Sequence, residues 1–398
     1  MGKHGLLVMP HTTLPCAVDQ AWRPPLRMVE FRLFNLRMFV GVYAGSACLS
    51  FYLASPHSLL VVMEQSVCSL GYVNRIYNNV SSVDVEAFER FFHDIKSAGV
   101  IIPSGEGRSK GALSIACSEL AKMRGGKIVV DRGDIGFPGR EVSEAAPILK
   151  QRFGRVCLLI NSGSGRSMTP LIDAQNLAAY VGKTGLGRDY TIDLVTSEPS
   201  SPLGKIAAKY GSVLELKGRE PDLIPEETKV LRDVGIMEDA FILGSGAVFQ
   251  AVAEALYEDS LPGRALQYAR EIVAEAAKLI DSCINSDFYR FIVERIETRN
   301  VCFFAGLGSS HEVARMTAVR IGHIKRAIGD QVYVARESST PAPRQGDLML
   351  VISSSGETEI VTAWCRNFKR MGGLLAAVVG NPESTLASIA DTVPALPK

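Results

Sequence analysis

One pattern, an apolar strand that ends in glycines and serines before a helix, occurs four times in this chain. Residues 158–170 read LLINSGSGRSMTP and residues 350–360 read LVISSSGETEI. Earlier in each half, VIIPSGEGRSKG at 100–111 and VCFFAGLGSSHE at 301–312 follow the same rule. Two different turns that each recur once, 191 and 201 residues apart, indicate an internal duplication. The chain is therefore predicted to contain two similar units of alternating strands and helices.

The serine-rich turns are the candidate ligand sites. Serines and a glycine cannot fill a core, but they place hydroxyls and free backbone N–H groups at a helix N-terminus, where the helix dipole favours an anion such as phosphate. Serine and threonine are also ordinary helix caps, so one such turn alone leaves both interpretations open. Recurrence favours the anion site. Its equivalent residues are Ser162, Ser164 and Ser167 (the first serine turn) and Ser353, Ser355 and Thr358 (the second serine turn).

Strands that alternate with helices predict an α/β fold with doubly wound, mostly parallel sheets flanked by helices. A first unit is predicted over residues 63–260 and a second unit over residues 261–398, with Leu261-Pro262-Gly263 at the boundary. A helix is predicted over residues 236–258 and a long helical stretch over residues 264–299. Strands are predicted near 98–102, 127–131, 155–160, 190–195, 212–216, 300–305, 331–335, 347–352, 373–379 and 391–396.

Composition narrows the possible partners. The 43 Lys and Arg residues balance the 42 Asp and Glu residues, so no nucleic-acid partner is expected. The eight cysteines are scattered without a C-x-x-C pair, and no histidine pair has metal-ligand spacing, so no metal site is predicted. Reduced thiols and a cytoplasmic location are the expectation.

The first 62 residues do not resemble the rest of the chain. Residues 38–63 carry no Asp, Glu, Lys or Arg, and three arginines precede them, which fits a membrane span or signal anchor. Gly, Ser, Pro and His interrupt that run, however, and a helical pattern begins directly after Met63. We therefore favour Met63 as the natural start, with upstream sequence translated in error, and do not expect a membrane partner.

Three stretches of the second unit carry a family resemblance: AGLGSSHEVARMTAVRIGH at 305–323, VYVARESSTPAPRQGDLMLVISSSGETE at 332–359 and NPESTLASIADTVPALP at 381–397. They resemble the sugar isomerase (SIS) domain family, and within it the 6-phospho-3-hexuloisomerases. The first unit is more divergent but keeps SGEGRS, INSGSGRS and IMEDAF. The resemblance implies two tandem SIS domains, the second lacking its C-terminal helix. It implies no cofactor.

The resemblance also implies roles for particular residues. The two serine turns would bind phosphate, and Ser109 and Ser310 in the glycine-rich turns would contact the sugar. Glu337 aligns with a family glutamate that could hold a sugar hydroxyl, although a structural ion pair fits it equally well. The substrate would be a phosphosugar, and the protein would form a homo-oligomer or a pseudo-dimer of its two units.

Isomerisation of a ketose phosphate needs a carboxylate base and a second group that moves hydroxyl protons. Glu238 in IMEDAF resembles the family's glutamate, with Asp239 as the second candidate, and His323 matches the family's histidine. His323 lies fifteen residues beyond Gly308, whereas the same count from Gly107 reaches Lys122. The first unit is thus predicted to lack the histidine and the second unit to lack the glutamate. This favours a composite site. An interior histidine and a glutamate that complements a helix dipole are the structural alternatives.

Three functions remain open at this point. The leading prediction is isomerisation of 3-hexulose 6-phosphate to fructose 6-phosphate through an enediolate. The second is a non-catalytic regulatory protein that binds a sugar phosphate, which the missing helix and missing histidine favour. The third is isomerisation of another phosphosugar. A shared fold alone does not separate them.

Overall fold

The structure is a computed structural model that describes residues 66–122, 126–219, 239–335 and 340–394. The N-terminal segment 1–62, Glu238 and Glu337 lie outside the described residues.

The first unit is built on a five-stranded parallel sheet of order β2-β1-β3-β4-β5. Strands β3 and β4 are buried along their whole length. Burial on both faces explains the apolar run of β3, while β4 also buries the polar residues Thr191 and Asp193. The elements of this unit are α1 Gly71–Ser81, α2 Val85–Ser97, β1 Val100–Gly105, α3 Gly107–Lys122, β2 Ile128–Val129, α4 Val142–Phe153, β3 Val156–Asn161, α5 Met168–Thr184, β4 Tyr190–Thr196, α6 Pro202–Tyr210, β5 Val213–Glu215 and α7 Asp239–Tyr257.

The second unit repeats this plan with a four-stranded parallel sheet of order β7-β6-β8-β9. The predicted strand at 391–396 is reduced, among the described residues, to a single bridge between Thr392 and Ala376. The predicted α/β fold with two parallel sheets is confirmed. The elements of this unit are α8 Pro262–Cys283, α9 Asp287–Glu297, β6 Cys302–Ala305, α10 Ser309–Ala327, β7 Val332–Val334, β8 Leu348–Ser353, α11 Glu359–Arg370, β9 Leu374–Val379 and α12 Thr385–Ile389.

The helical stretch predicted over residues 264–299 consists of two helices, α8 and α9. Ser286 separates them in an extended conformation, and its hydroxyl accepts a hydrogen bond from the backbone N–H of Tyr289 at 3.2 Å. A capping serine with this geometry starts a new helix, and the amphipathic pattern alone does not show the break.

Helices α3 and α10 pack against each other in antiparallel directions across the two units. Ser309, at the start of α10, donates a hydrogen bond to Glu119, near the end of α3, at 3.4 Å. At the opposite end, Arg108 in the first turn of α3 and Arg320 near the end of α10 bind the same carboxylate. Each helix therefore carries its C-terminal half towards the glycine-rich turn of the other unit.

Helix α7 is apolar because it lies among α1, α3 and α8 in the core. Within the described ranges, it is the one helix with the length and hydropathy to cross a membrane. In this structure 89% of its most apolar window is buried inside the protein, so α7 serves as a core helix.

One buried carboxyl group lies on β4, away from the serine turns. The carboxylate of Asp193 accepts hydrogen bonds from the backbone N–H and the hydroxyl of Ser212, at 2.9 and 2.6 Å, and from the Cys157 thiol at 3.2 Å. Burial raises the pKa of Asp193 to about 7, because the charged form loses its hydration.

We expect Asp193 to make the protein less stable as the pH rises from about 4 to about 7. The unfolded chain releases this proton near pH 4, whereas the folded protein keeps it until about pH 7. The contribution to stability is complete below the unfolded pKa and lost above the folded one. Asp193→Asn stays neutral and should remove this loss, on the order of 4 kcal/mol. Urea unfolding of both proteins at several pH values measures it, and identical pH profiles would contradict the assignment.

Candidate functional site

The glycine-rich turns, residues 105–109 (the first glycine turn) and 306–310 (the second glycine turn), join a strand to a helix in each unit. Gly107 and Gly308 have φ angles of 53° and 62°, a conformation that favours glycine. A Cβ atom on Gly306 would lie 2.5 Å from the Ser310 carbonyl oxygen, so the backbone also approaches closely here. The two turns thus have the same shape, as the duplication predicts.

The serine turns are also equivalent in conformation. Gly165 and Gly356 have φ angles of 59° and 67°. A Cβ atom would lie 1.9 Å from the Ser201 hydroxyl oxygen in the first case and 2.1 Å from the Ser384 hydroxyl oxygen in the second. Both turns lie at the carboxyl ends of central strands, β3 and β8, and lead into α5 and α11. This is the edge of the sheet where α/β proteins bind ligands.

In the second serine turn the hydroxyls of Ser353 and Ser355 accept hydrogen bonds from turn amides. The N–H of Gly356 donates to Ser353 at 3.1 Å, and the N–H of Glu357 donates to Ser355 at 3.2 Å. Thr358 is the N-cap residue of α11, and its side chain makes no capping bond. The first-turn amides of α11 are therefore left for another acceptor, as an anion site requires.

In the first serine turn the hydroxyls of Ser162 and Ser167 lie 3.1 Å apart and hydrogen-bond to each other. The hydroxyl of Ser164 accepts from the N–H of Arg166 at 3.2 Å. The N–H of Thr169, in the first turn of α5, donates to the carboxylate of Glu106 at 2.7 Å. A side chain of the first glycine turn therefore already supplies an anion to this helix N-terminus.

A buried group of three charged side chains joins the two units beside the first glycine turn. The two carboxylate oxygens of Asp239, at the start of α7, bind the guanidinium groups of Arg108 and Arg320. Asp239 and Arg320 are fully buried, and Arg108 is 9% exposed. Both carboxylate oxygens of Asp239, the second candidate for the base, are therefore occupied by guanidinium groups.

His323 lies on α10 three residues beyond Arg320, which is about 4.5 Å further along the helix axis. It is half-buried and lines an open groove of about 560 Å³ together with Arg315, Arg326 and Tyr333. His323 is fourteen residues from Ser309, or about 21 Å along α10. That separation exceeds the length of a hexose phosphate, so His323 lies too far from its own glycine turn to share a ligand with it. The residues that line its groove all belong to the second unit.

The remaining predicted residues are partly placed. Ser109 lies in the first turn of α3, where its carbonyl oxygen accepts a hydrogen bond from the side-chain amide of Asn161 at 2.9 Å. Ser310 is buried in the first turn of α10. Neither position by itself identifies a ligand site. In the ranges that the structure describes, no group of three His, Cys, Asp or Glu side chains could hold a metal ion.

Two residues of this region, Glu106 and Glu119, were not predicted from the sequence. Glu119 lies twelve residues beyond Gly107, and Arg320 lies twelve beyond Gly308, so equivalent positions carry opposite charges. Lys122, at the position equivalent to His323, forms a 3.2 Å ion pair with Glu119. An alignment of α3 with α10 shows this difference in charge from the sequence alone.

Comparison with known proteins gives two kinds of relatives. No family model matches the chain. The 3-hexulose-6-phosphate isomerase of Mycobacterium gastri is 36% identical over 132 residues, which is 33% of this chain and 62% of that protein. The enzyme of the same name from Bacillus subtilis is 31% identical over 106 residues, 27% of this chain and 55% of that protein. The chain thus spans between half and two thirds of the length of these relatives.

Among solved structures, the tagatose-6-phosphate ketose/aldose isomerase of Escherichia coli superposes with a TM-score of 0.53. The match covers 84% of this chain and 88% of that protein at 11% identity, a likeness that concerns the fold. It extends over both units, in agreement with the two parallel sheets and their repeated turns. This fold and these relatives are consistent with two α/β units of the sugar isomerase (SIS) type in tandem.

Proposed function

We propose that the protein is a phosphosugar isomerase that converts 3-hexulose 6-phosphate to fructose 6-phosphate. The observation that supports this most is the position of Asp239, whose carboxylate binds Arg108 of the first glycine turn and Arg320 of α10. Asp239 follows Glu238 in the chain, and Arg320 precedes His323 by less than one helical turn. The start of α7, which follows the candidate base in sequence, and the helix with the candidate histidine therefore meet within one chain.

In the proposed reaction Glu238 acts as the base. Its carboxylate takes the proton from C2 of the substrate, the C2–C3 bond becomes double, and the C3 carbonyl oxygen gains a proton. Glu238 then returns its proton to C3, while the C2 hydroxyl loses a proton and becomes the new carbonyl. His323 carries the proton between the two oxygens, a role for which an imidazole is suited near neutral pH. No redox change and no other reactant are required.

The charges around this site support an enediolate. Arg108 and Arg320 together with Asp239 carry a formal charge of +1 in a buried place, where a positive charge acts strongly on a developing anion. The first serine turn would hold the substrate phosphate through Ser162, Ser164 and Ser167, at the N-terminus of α5. Ser109, in the first turn of α3, would contact the sugar hydroxyls, and the equivalent residues Ser353, Ser355, Thr358 and Ser310 would serve a second site.

Proton exchange with solvent tests the proposed reaction. Purified protein is incubated in D₂O with 3-hexulose 6-phosphate, and separately with aldose and amino-sugar phosphates, and products are followed by NMR. We expect fructose 6-phosphate that carries deuterium at C3, because the proton on the base exchanges with solvent. Deuterium uptake only with another phosphosugar would replace the proposed substrate. The absence of uptake with every sugar would contradict an isomerase.

We further expect that replacing Ser355 and Thr358 together with alanine weakens phosphosugar binding at the second serine turn by about tenfold or more. Hydrogen bonds to a charged group contribute about 1.5–3 kcal/mol each, and these two hydroxyls lie beside uncapped amides. Calorimetric titration measures the affinity. Ser388→Ala is the matched control, since it removes an exposed hydroxyl from α12 that bonds only its own helix. Equal affinities of the double variant and the wild type would contradict the assignment.

A second function, ligand binding without turnover, is favoured at the second site by one observation. There α3 contributes Glu119 and Lys122 in place of the arginine and histidine that α10 contributes to the first site. A sugar phosphate could bind to Ser353, Ser355 and Thr358 without meeting the proposed proton-transfer pair. Binding at this turn with no deuterium uptake when the first site is disabled would support this function.

A further inference from the structure

Glu106 occupies the place in the first unit where a phosphate would meet the helix N-terminus. It lies in the middle of the first glycine turn, between Gly105 and Gly107, and is exposed. Its carboxylate oxygen accepts a hydrogen bond from the backbone N–H of Thr169 at 2.7 Å. Thr169 is the second residue of α5, a helix of 17 residues, so the carboxylate lies at the positive end of the helix dipole.

The surrounding groups show that this helix N-terminus is shaped for an anion that the chain itself supplies. Ser167 is the N-cap residue of α5 and makes no capping bond, and its hydroxyl pairs instead with Ser162 at 3.1 Å. The third residue of the helix is Pro170, which has no N–H group. Once Thr169 is bonded to Glu106, the first turn of α5 retains only the amide of Met168 as a backbone donor.

The second unit differs from the first at two of these positions. Leu307 stands where the first glycine turn has Glu106, and it is 41% exposed and carries no charge. Val361 stands at the position of Pro170, so α11 keeps the backbone donor that α5 lacks. The two serine turns share a backbone conformation, and α11 carries Glu359 in its first turn. Among the described residues, however, only in the first serine turn does a carboxylate accept a hydrogen bond from a first-turn amide of the helix that follows the turn.

We propose that Glu106 is an internal competitor for the phosphate position of the first serine turn. A phosphate reaches Ser162 and Ser167 only after the Glu106 carboxylate leaves the Thr169 amide, since two anions at one helix N-terminus repel each other. The second serine turn, with Leu307 and a complete set of amides, binds phosphate first. This inference rests on the phosphate role of the serine turns under the proposed function, and it adds that the two sites differ in affinity.

Replacing Glu106 with leucine, the residue at the equivalent position of the second unit, tests the inference. The background is the protein with Ser355→Ala and Thr358→Ala, so that the second turn contributes little, and the probe is inorganic phosphate followed by calorimetry. Adding Glu106→Leu is expected to tighten phosphate binding about tenfold, the gain from releasing a charge-assisted bond to a new anion. Glu86→Leu is the matched control, because Glu86 is an exposed acidic residue in the first turn of α2 and should leave the affinity unchanged. Should Glu106→Leu fold poorly, Glu106→Gln removes the charge with less change in shape.

Two further substitutions test whether the gain in phosphate affinity arises at the first serine turn. Adding Ser162→Ala and Ser167→Ala to the Glu106→Leu protein should abolish the gain, because these are the hydroxyls proposed to bind the phosphate. A gain that persists without them, or no gain from any Glu106 variant, would overturn the proposal. Phosphate titration requires no turnover. A protein that gains affinity yet isomerises no sugar would therefore refute the proposed reaction and leave the role of Glu106 standing.

Discussion

Replacing Glu238 with glutamine is expected to slow isomerisation by about 10²–10⁴-fold while changing phosphosugar affinity only slightly. Glutamine preserves the size of the side chain but cannot accept the substrate proton, so the loss falls on the chemical step. His323→Ala should also reduce turnover and leave phosphate binding nearly intact, since the serine turns hold that group. Both effects are measured by the rate of deuterium uptake in D₂O together with calorimetric affinity for the same sugar.

The matched control for this change lies at the other end of α7. Glu258→Gln makes the same substitution directly after the last residue of that 19-residue helix, about 28 Å from its start. It should leave the rate of isomerisation unchanged. If Glu238→Gln is as active as Glu258→Gln, Glu238 is not the base, and binding without turnover becomes the better explanation of the site.

Mixing the two inactive proteins distinguishes a site within one chain from a site shared between chains. Because Asp239 binds Arg320 of the same chain, we expect the site to be complete within each chain. Mixed Glu238→Gln and His323→Ala proteins should therefore stay inactive. Recovery of activity in the mixture would instead place Glu238 and His323 of one site on two different molecules.

Local signals in the sequence were sufficient for the elements and for the turns. Gly165 and Gly356 have positive φ angles, and the side chains of Ser201 and Ser384 approach them closely. Both conditions require glycine in these turns. An unbroken apolar run followed by such a turn reports a buried parallel strand and the helix after it. These features depend on neighbours in the chain, which is why the repeat could be read without a structure.

The relation between the two units was not accessible in the same way. The contacts of Asp239 with Arg108 and Arg320 join residues 131 and 81 positions apart, and no local pattern specifies which charges meet across a helix interface. Glu106 was overlooked for a related reason, since its partner Thr169 is 63 residues away. The sequence indicated which side chains could carry charge to the turns, and the packing of α3 on α10 decided where those charges lie.

Removing Arg320 is expected to destabilise the protein by about 3–5 kcal/mol, the largest effect on stability that the structure suggests. Arg320→Met preserves most of the side-chain volume but leaves the fully buried carboxylate of Asp239 with one guanidinium partner fewer. Burying a charge without its partner is costly because neither water nor another side chain replaces the lost interaction. Since Arg320 joins α10 to the start of α7, the loss should also weaken the contact between the two units. Urea unfolding followed by fluorescence and circular dichroism, with hydrogen exchange along α10, measures both effects.

Arg315→Met on the same helix is the control, because Arg315 is 48% exposed and its 3.8 Å ion pair with Glu312 should contribute less than about 1 kcal/mol. A double variant, Arg320→Met with Asp239→Asn, should lose less stability than the two single changes added together, since the second change removes the buried carboxylate that the first leaves with Arg108 alone. Additive losses would mean that the two side chains do not interact in solution. A loss from Arg320→Met no greater than that from Arg315→Met would show that the buried charges do not hold the two units together, and it would remove the main support for the proposed composite site.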